Sequence, residues 1–344
     1  MSWLSDEAIA RLQSAGALPD TTGTRYRILE RVGAGGMGAV YLAEDSVLAR
    51  RVALKILDLP DSHGELAQRL LREAHILAGL EHPGIVPVHD AGSLADGRAF
   101  YAMKFVEGGR LDSLVSASLV NPPPLPERLR IFERICDAVA FAHAHSVLHR
   151  DLKPENVMVG PFGEVLVMDW GVAKILESAR DPGAATAPPD DSEPHSPSPT
   201  PPASAVRTAH GAVLGTRGYM SPEQARGDVE HLDPRSDVFS LGALLHFLLA
   251  GRSPDEATTS LASVPPALAA IARKAMAPVP ADRYTSATEL AHDVARYLDG
   301  MSVAAYPENV FRKLARLASR YRVAVVLVLT YLVVRALLLL WLKR

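Results

Sequence analysis

The chain has 344 residues, a formal net charge of −3, 48% hydrophobic and 22% charged residues, and a single cysteine, Cys136. This length predicts about two domains or lobes around a sizeable core. The charge creates no global field that would draw nucleic acid, and one cysteine excludes an internal disulfide framework.

Residues 1–24 read as a short helix and a turn, an extension with scattered apolar positions at Leu4, Ile9 and Leu12. Met1 to Ala10 carries Asp6 and Glu7 and no long apolar run, so no secretory leader is expected and the body is expected inside the cell. From Tyr26 the pattern changes. YRILERVGAGGMGAVYLAED and RRVALKIL alternate and are rich in branched residues, which predicts strands; the short connection favours an antiparallel sheet. Ser62 and Glu65 have capping-box spacing and open a helix. Leu66, Leu70, Glu73, Leu77 and Leu80 then share one face. Glu73 is the oddity, because a carboxylate in an apolar stripe needs a cation partner if buried.

Two further strands are expected near Ile85–Ala91 and Phe100–Phe105. After Gly108–Gly109 the chain turns helical, with an apolar helix over Leu129–His145 reached through NPPPLPE; Cys136 reads as a small core residue there. HRDLKPENVMV and EVLVMDWG are loop-and-strand units. Residues 178–204 are dense in Pro, Ala, Ser and Asp, a composition that cannot build a core, and read as a disordered insertion. Helices resume at Ser236–Ala250, Pro266–Met276 and Ser286–Tyr297.

Residues 299–322 form a basic juxtamembrane segment, with Arg312, Lys313, Arg316, Arg320 and Arg322; Asn309–Tyr321 reads equally as a helix lying on anionic lipid or as a plain stalk. Val323 to Leu342 is almost wholly apolar and long enough for a transmembrane helix. Arg335 interrupts it at a cost of about 2.5–3.5 kcal/mol, less than its Leu and Val residues return. The basic excess before the span predicts a single pass with the body on the cytoplasmic side of the cell membrane. Only Lys343 and Arg344 follow, so no external sensor domain is expected.

The chemistry-bearing residues fall into sets. Gly33, Gly35 and Gly38 form GxGxxG between two strand patterns, which fits a glycine-rich hairpin whose amides could lie close over phosphates, or a plain turn. Lys55 ends VALK on the next strand, and a Lys55–Glu73 pair would explain the misplaced carboxylate and aim an ammonium at ATP phosphates. HRDLKPEN supplies Asp151, which can orient an attacking hydroxyl, and Lys153, which can neutralise a transferring phosphoryl group. Asn156 and Asp169 offer oxygens to magnesium.

In this order the motifs resemble the eukaryotic-type (Hanks-type) serine/threonine protein kinases, over residues 25–298, and the tail is similar to bacterial membrane-anchored members. The resemblance implies an α+β, bilobal fold: a small antiparallel β-sheet lobe over 25–106 and a larger helical lobe over 107–298. It implies that Val32, Gly33, Ala34, Gly35, Gly36, Met37, Gly38, Ala39 and Val40 cover the nucleotide. Lys55 and Glu73 form its anchoring pair, Ala53 and Met158 sandwich adenine, and Lys104 and Val106 bond it through backbone groups after the gatekeeper Met103. Asp151 and Lys153 are the implied catalytic residues, Asn156 and Asp169 the metal ligands, with ATP and magnesium as cofactors and Ser/Thr proteins as substrates. Ser221–Pro222–Glu223, Asp237 and Arg283 resemble fold supports. Self-association for autophosphorylation is a further implied partner mode.

Three departures stand out. Trp170 replaces the usual Phe after Asp169 and would have to pack with His149 and Leu77, with overpacking costing about 1–3 kcal/mol. Lys104 replaces an acidic hinge residue. The stretch from Asp169 to Glu223 is long and rich in hydroxyls; phosphorylation at Thr208 or nearby is expected to order it through Arg150. The alternative function is a pseudokinase scaffold that binds nucleotide without transfer. The intact Lys55, Glu73, Asp151, Asn156 and Asp169 argue against it.

Overall fold

The computed structural model describes residues 18–35, 38–58, 64–116, 123–170, 174–175, 218–228, 232–256, 261–307 and 322–342. Strands β1 (Tyr26–Gly35), β2 (Gly38–Asp45), β3 (Arg50–Ile56), β4 (Val88–Ser93) and β5 (Ala99–Lys104) form one antiparallel sheet in the order β1-β2-β3-β5-β4. Its two faces follow from the period of two. Ala39, Tyr41, Ala43, Val52, Leu54, Ile56, Phe100 and Ala102 pack into an outer cluster with Tyr26. The alternate residues Ala53, Tyr101 and Met103 join the main core on the inner face.

The Glu65–Ala78 helix covers that inner face with Leu70, Glu73, Ala74, Ile76 and Leu77. Its N-cap is Gly64, in a left-handed conformation at φ 75°. The expected Ser62 cap lies outside the described residues. Leu66 departs from the predicted stripe: it is 41% exposed and lines the cleft between the lobes.

In the large lobe the Leu125–Ala144 helix starts earlier than its apolar periodicity predicts. Proline belongs in a first helical turn, where no amide hydrogen is needed, so Pro126 sits in that turn behind Pro124 at the N-cap. The Pro234–Ala250 helix also starts early. Asp233 caps it by accepting from the Arg235 amide at 2.7 Å, and Gly251 closes it at φ 73°. Helices Pro266–Ala275 and Ala287–Leu298 complete the lobe, the latter capped by Ser286. Short strands β6 (Gly109–Arg110), β8 (Val157–Val159) and β9 (Val165–Val167) form a three-stranded sheet, while β7 (Val147–Leu148) pairs with β10 (Lys174–Ile175). A parallel bridge between Ile85 and Val167 ties the lobes, with the Val167 amide donating to the Gly84 carbonyl at 2.8 Å.

The folded unit extends past 298. The amides of Ala304 and Ala305 donate to the buried Asp293 carboxylate at 2.6 and 3.0 Å, and Val303 is buried. Residues 303–305, near the start of the segment expected to be juxtamembrane, are thus tied to the large lobe. The remainder of the basic segment, 308–321, lies outside the described residues, as do most of residues 1–24 and all of 178–204.

Among the described residues no helix is long and apolar enough to cross a membrane, so the transmembrane helix expected at 323–342 is not established. The backbone there is helical over Arg322–Leu342. The side chains at Val326, Leu327, Leu329, Leu332 and Trp341 are exposed.

Candidate active site

A cleft of about 640 Å³ opens between the lobes. Its roof comes from β1–β3, its back from the Glu65–Ala78 helix and its floor from the segments around Asp151 and Asp169. Val40, Lys55 and Tyr101 are register partners on three neighbouring strands, so their side chains leave the sheet on the same inner face. Lys55 Nζ donates to both Glu73 oxygens at 2.8 and 2.9 Å and to Asp169 Oδ1 at 3.2 Å. Burial by itself would lower the Lys55 pKa, but the Glu73 and Asp169 charges outweigh it and hold the ammonium above its usual value. Burial would raise the Asp169 carboxyl, and the Lys55 ammonium instead pulls it below the usual range.

The floor is held by backbone geometry that side chains rarely adopt. Arg150 and Asp169 have φ of 71° and 56°, in the left-handed region. Asp237, fully buried, stabilises the first of these turns by accepting from the His149 and Arg150 amides, both at 2.9 Å, and from His143 Nε2 at 2.8 Å. Gln224 Nε2 donates to the Arg150 carbonyl at 2.8 Å. The result is a fixed hydrogen-bonded group. Asp151 Oδ2 accepts from Lys153 Nζ at 2.7 Å and from Asn156 Nδ2 at 3.2 Å, and Asn156 Nδ2 also donates to the Asp151 carbonyl at 2.8 Å.

Trp170 is fully buried, its ring 4.5 Å from that of His149, and Leu77 lies in the same core cluster. Its indole N–H donates to the Val167 carbonyl at 3.2 Å. The larger ring is accommodated with its polar atom satisfied. Behind the cleft, Arg283 donates to both Glu223 oxygens at 2.7 and 2.8 Å, a buried pair that secures the Ser221–Glu223 segment to the lobe.

The cleft brings together Gly33, Ala34, Gly38, Val40, Lys55, Glu73, Asp151, Lys153, Asn156, Met158 and Asp169 from the expected set. Others fall elsewhere. Val32, at the register shift between Arg31 and Gly33, is 47% exposed and does not line the cleft, and Ala39 is buried on the outer face of β2, opposite its cleft-lining neighbours Gly38 and Val40 in the alternation along the strand. Ala53 and Val106 are buried in the main core, outside the cleft lining. The Lys104 side chain is exposed and its amide donates to Pro87 at 3.0 Å, so a contact to adenine would have to come from its carbonyl. Gly35 contributes backbone to β1; Gly36 and Met37 lie outside the described residues, as do Thr208 and Thr216. Sequence reasoning overlooked Tyr101, Val86 and Met168, which also line the cleft. Tyr101 was findable: it lies two residues before Met103 in an alternating strand and therefore on the same face.

The family described as "Protein kinase domain" matches residues 26–298. The chain belongs to the protein kinase family. Among curated relatives, serine/threonine-protein kinase PknD of Protochlamydia amoebophila is 34% identical over 309 residues, covering 80% of this chain and 30% of that protein. PknD of Chlamydia trachomatis serovar D is 38% identical, covering 80% of this chain and 32% of that protein. The chain therefore spans about a third of the length of these relatives. The crystal structure of the Mycobacterium tuberculosis PknI kinase domain is similar at 27% identity and a TM-score of 0.58, with 81% of this chain and 99% of that chain covered. The kinase match places the small sheet, the Glu65–Ala78 helix and the large helical lobe in one bilobal fold.

The donors present suit magnesium. Asn156 and Asp169 offer hard oxygens on one side of the cleft, and magnesium is commonly held by one or two protein groups together with substrate phosphates. Among the described residues there is no cluster of three or more His, Cys, Asp or Glu that would form an all-protein cage.

Proposed function

We propose that the chain transfers the γ-phosphoryl group of ATP to serine or threonine hydroxyls of proteins. The observation that carries this reading is one arrangement: Asp151, Lys153 and Asn156 are hydrogen-bonded into a single group that lines the same cleft as Asp169, which Lys55 reaches from the sheet at 3.2 Å. In the proposed reaction Asp151 accepts a hydrogen bond from the substrate hydroxyl and aims its oxygen at the γ-phosphorus. The new O–P bond forms as the bond to the β,γ-bridging oxygen breaks, ADP departs, and the hydroxyl proton passes to Asp151. Lys153 balances charge on the equatorial oxygens, and Lys55 holds the phosphates that stay behind. Magnesium, held by Asn156 and Asp169, would neutralise the β- and γ-oxygens. Gly33, Ala34 and Val40 would cover the nucleotide, with Met158 beneath the base.

The test is direct. The full-length chain is incubated with ATP, magnesium and a generic protein acceptor, and phosphoamino acids are analysed. Transfer to serine and threonine that disappears in Asp151→Asn supports the proposal. Nucleotide binding without transfer in the parent chain would favour the scaffold reading.

We also propose that the C-terminal helix anchors the kinase, single-pass, in a cell membrane with the catalytic lobes on the cytoplasmic side. The supporting features are the almost wholly apolar sequence from Val323 to Leu342 and the exposure of Val326, Leu327, Leu329, Leu332 and Trp341 on the Arg322–Leu342 helix. Detergent-free fractionation decides it: full-length protein in the soluble fraction counts against the anchor. Autophosphorylation between Ser178 and Thr216 is the third proposal, tested by mass spectrometry after incubation with ATP. An active enzyme carrying no phosphate there sinks it.

A further inference from the structure

Glu73 is 2% exposed, and its carboxylate takes hydrogen bonds from two side chains. Lys55 supplies two of them. The Tyr101 hydroxyl supplies the third, at 2.8 Å to Oε1. These donors differ in what else they must do. Lys55 Nζ also lies 3.2 Å from Asp169 and faces the cleft, so a bound triphosphate competes with Glu73 for its protons. Tyr101 is 2% exposed on the inner face of β5, directly across the sheet from Lys55, with its ring centroid 5.8 Å from Nζ. Burial, and then the Glu73 charge, push its phenol well above the usual value, so the hydroxyl remains a neutral donor throughout the working pH range.

A buried carboxylate that loses its partner is strongly penalised. With Lys55 as sole partner, Glu73 and the helix that bears it would be released whenever the ammonium turned to phosphate. We infer that Tyr101 is a positioning residue: its hydroxyl holds Glu73, and with it the Glu65–Ala78 helix, against the sheet independently of Lys55. The helix thus stays docked while Lys55 is engaged by nucleotide. Only the consequence for turnover rests on the kinase reading; the docking is a property of the fold.

Hydrogen exchange of residues 65–78, read by mass spectrometry on the full-length chain, tests this without requiring activity. Four forms are compared: the parent, Lys55→Ala, Tyr101→Phe, and the two together. Phenylalanine keeps the buried ring and removes only the donor. The expected result is that Lys55→Ala alone retains most of the helix protection. The double variant should then exchange about tenfold faster than Lys55→Ala, the size of one hydrogen bond to a charged group. Three outcomes overturn the inference. One is equal exchange in Lys55→Ala and the double variant. Another is a helix already open in Lys55→Ala. The third is a parallel loss of protection in the Arg50–Ile56 strand, which would mean that the hydroxyl supports the whole lobe rather than Glu73.

Discussion

Trp170 donates its indole N–H to the Val167 carbonyl at 3.2 Å while its ring packs 4.5 Å from His149. A buried indole needs such an acceptor, and phenylalanine at the same place would leave the carbonyl without it. Trp170→Phe therefore loses both ring volume and a hydrogen bond. It should lower stability by about 1–3 kcal/mol, and Trp170→Ala by about 3–5 kcal/mol. Thermal unfolding measures this. Replacing Trp3 and Trp341 with Phe leaves Trp170 as the sole indole, because the chain has 3 tryptophans. Its emission should be blue-shifted in the folded protein, and a solvent-exposed spectrum would contradict the buried placement.

The Lys55 ammonium bridges Glu73 and Asp169, so its removal strips charge from two carboxylates as well as from the nucleotide site. Lys55→Met should reduce kcat/KM for ATP by about 100-fold or more, comparable with loss of one preorganised charge-stabilising donor. Steady-state kinetics at saturating acceptor would show it, and a drop under tenfold would remove Lys55 from the role assigned to it.

Glu223 provides the pH signature of the large lobe. Burial tends to raise its pKa, but the hydrogen bonds from Arg283 and Ser236 pull it down to about 2, from an ordinary 4.5. The folded value is the lower one, so the pair's stabilisation is fully present above pH 4.5 and is lost as pH falls toward 2. The contribution at neutral pH is about 3 kcal/mol by linkage. Chemical denaturation between pH 7 and pH 3 should show a steeper decline in the parent than in Glu223→Gln. Parallel curves would mean that the ion pair does not couple to folding.

Much of this was legible in the sequence, for identifiable reasons. The Lys55–Glu73 pair followed from one carboxylate set in an apolar stripe, and HRDLKPEN fixed Asp151, Lys153 and Asn156 because they share one short loop. Tyr101 stayed hidden because its contact to Glu73 spans 28 residues and depends on strand register, which no local pattern states. Val32 and Ala39 lie outside the cleft lining because a motif is read as a contiguous string, whereas β1 shifts register at Val32 and β2 sends Ala39 to its outer face. The helix expected from Leu129 begins at Leu125 because apolar periodicity does not mark a first turn, where Pro126 is at home.

The glycines of the glycine-rich hairpin illustrate the same gap between a motif and its physical cause. The motif fits either a cradle for phosphates or a plain turn, and the structure separates its members. A Cβ on Gly38 would run into the Ile56 carbonyl oxygen and lie 2.9 Å from its carbon, both backbone atoms of β3 that cannot move aside cheaply. A Cβ on Gly33 would meet only the Val40 Cβ at 3.8 Å, an ordinary contact. Gly38→Ala should therefore break the β2–β3 approach and destabilise the small lobe by about 1–3 kcal/mol. Gly33→Ala should leave stability within about 0.5 kcal/mol and instead raise the KM for ATP, since the added methyl points into the space phosphates would occupy. Paired melting curves and ATP titrations separate the two. Equal destabilisation by both substitutions would mean that Gly33 is also a packing glycine, and an unchanged ATP KM in Gly33→Ala would mean that phosphates do not approach that part of the hairpin.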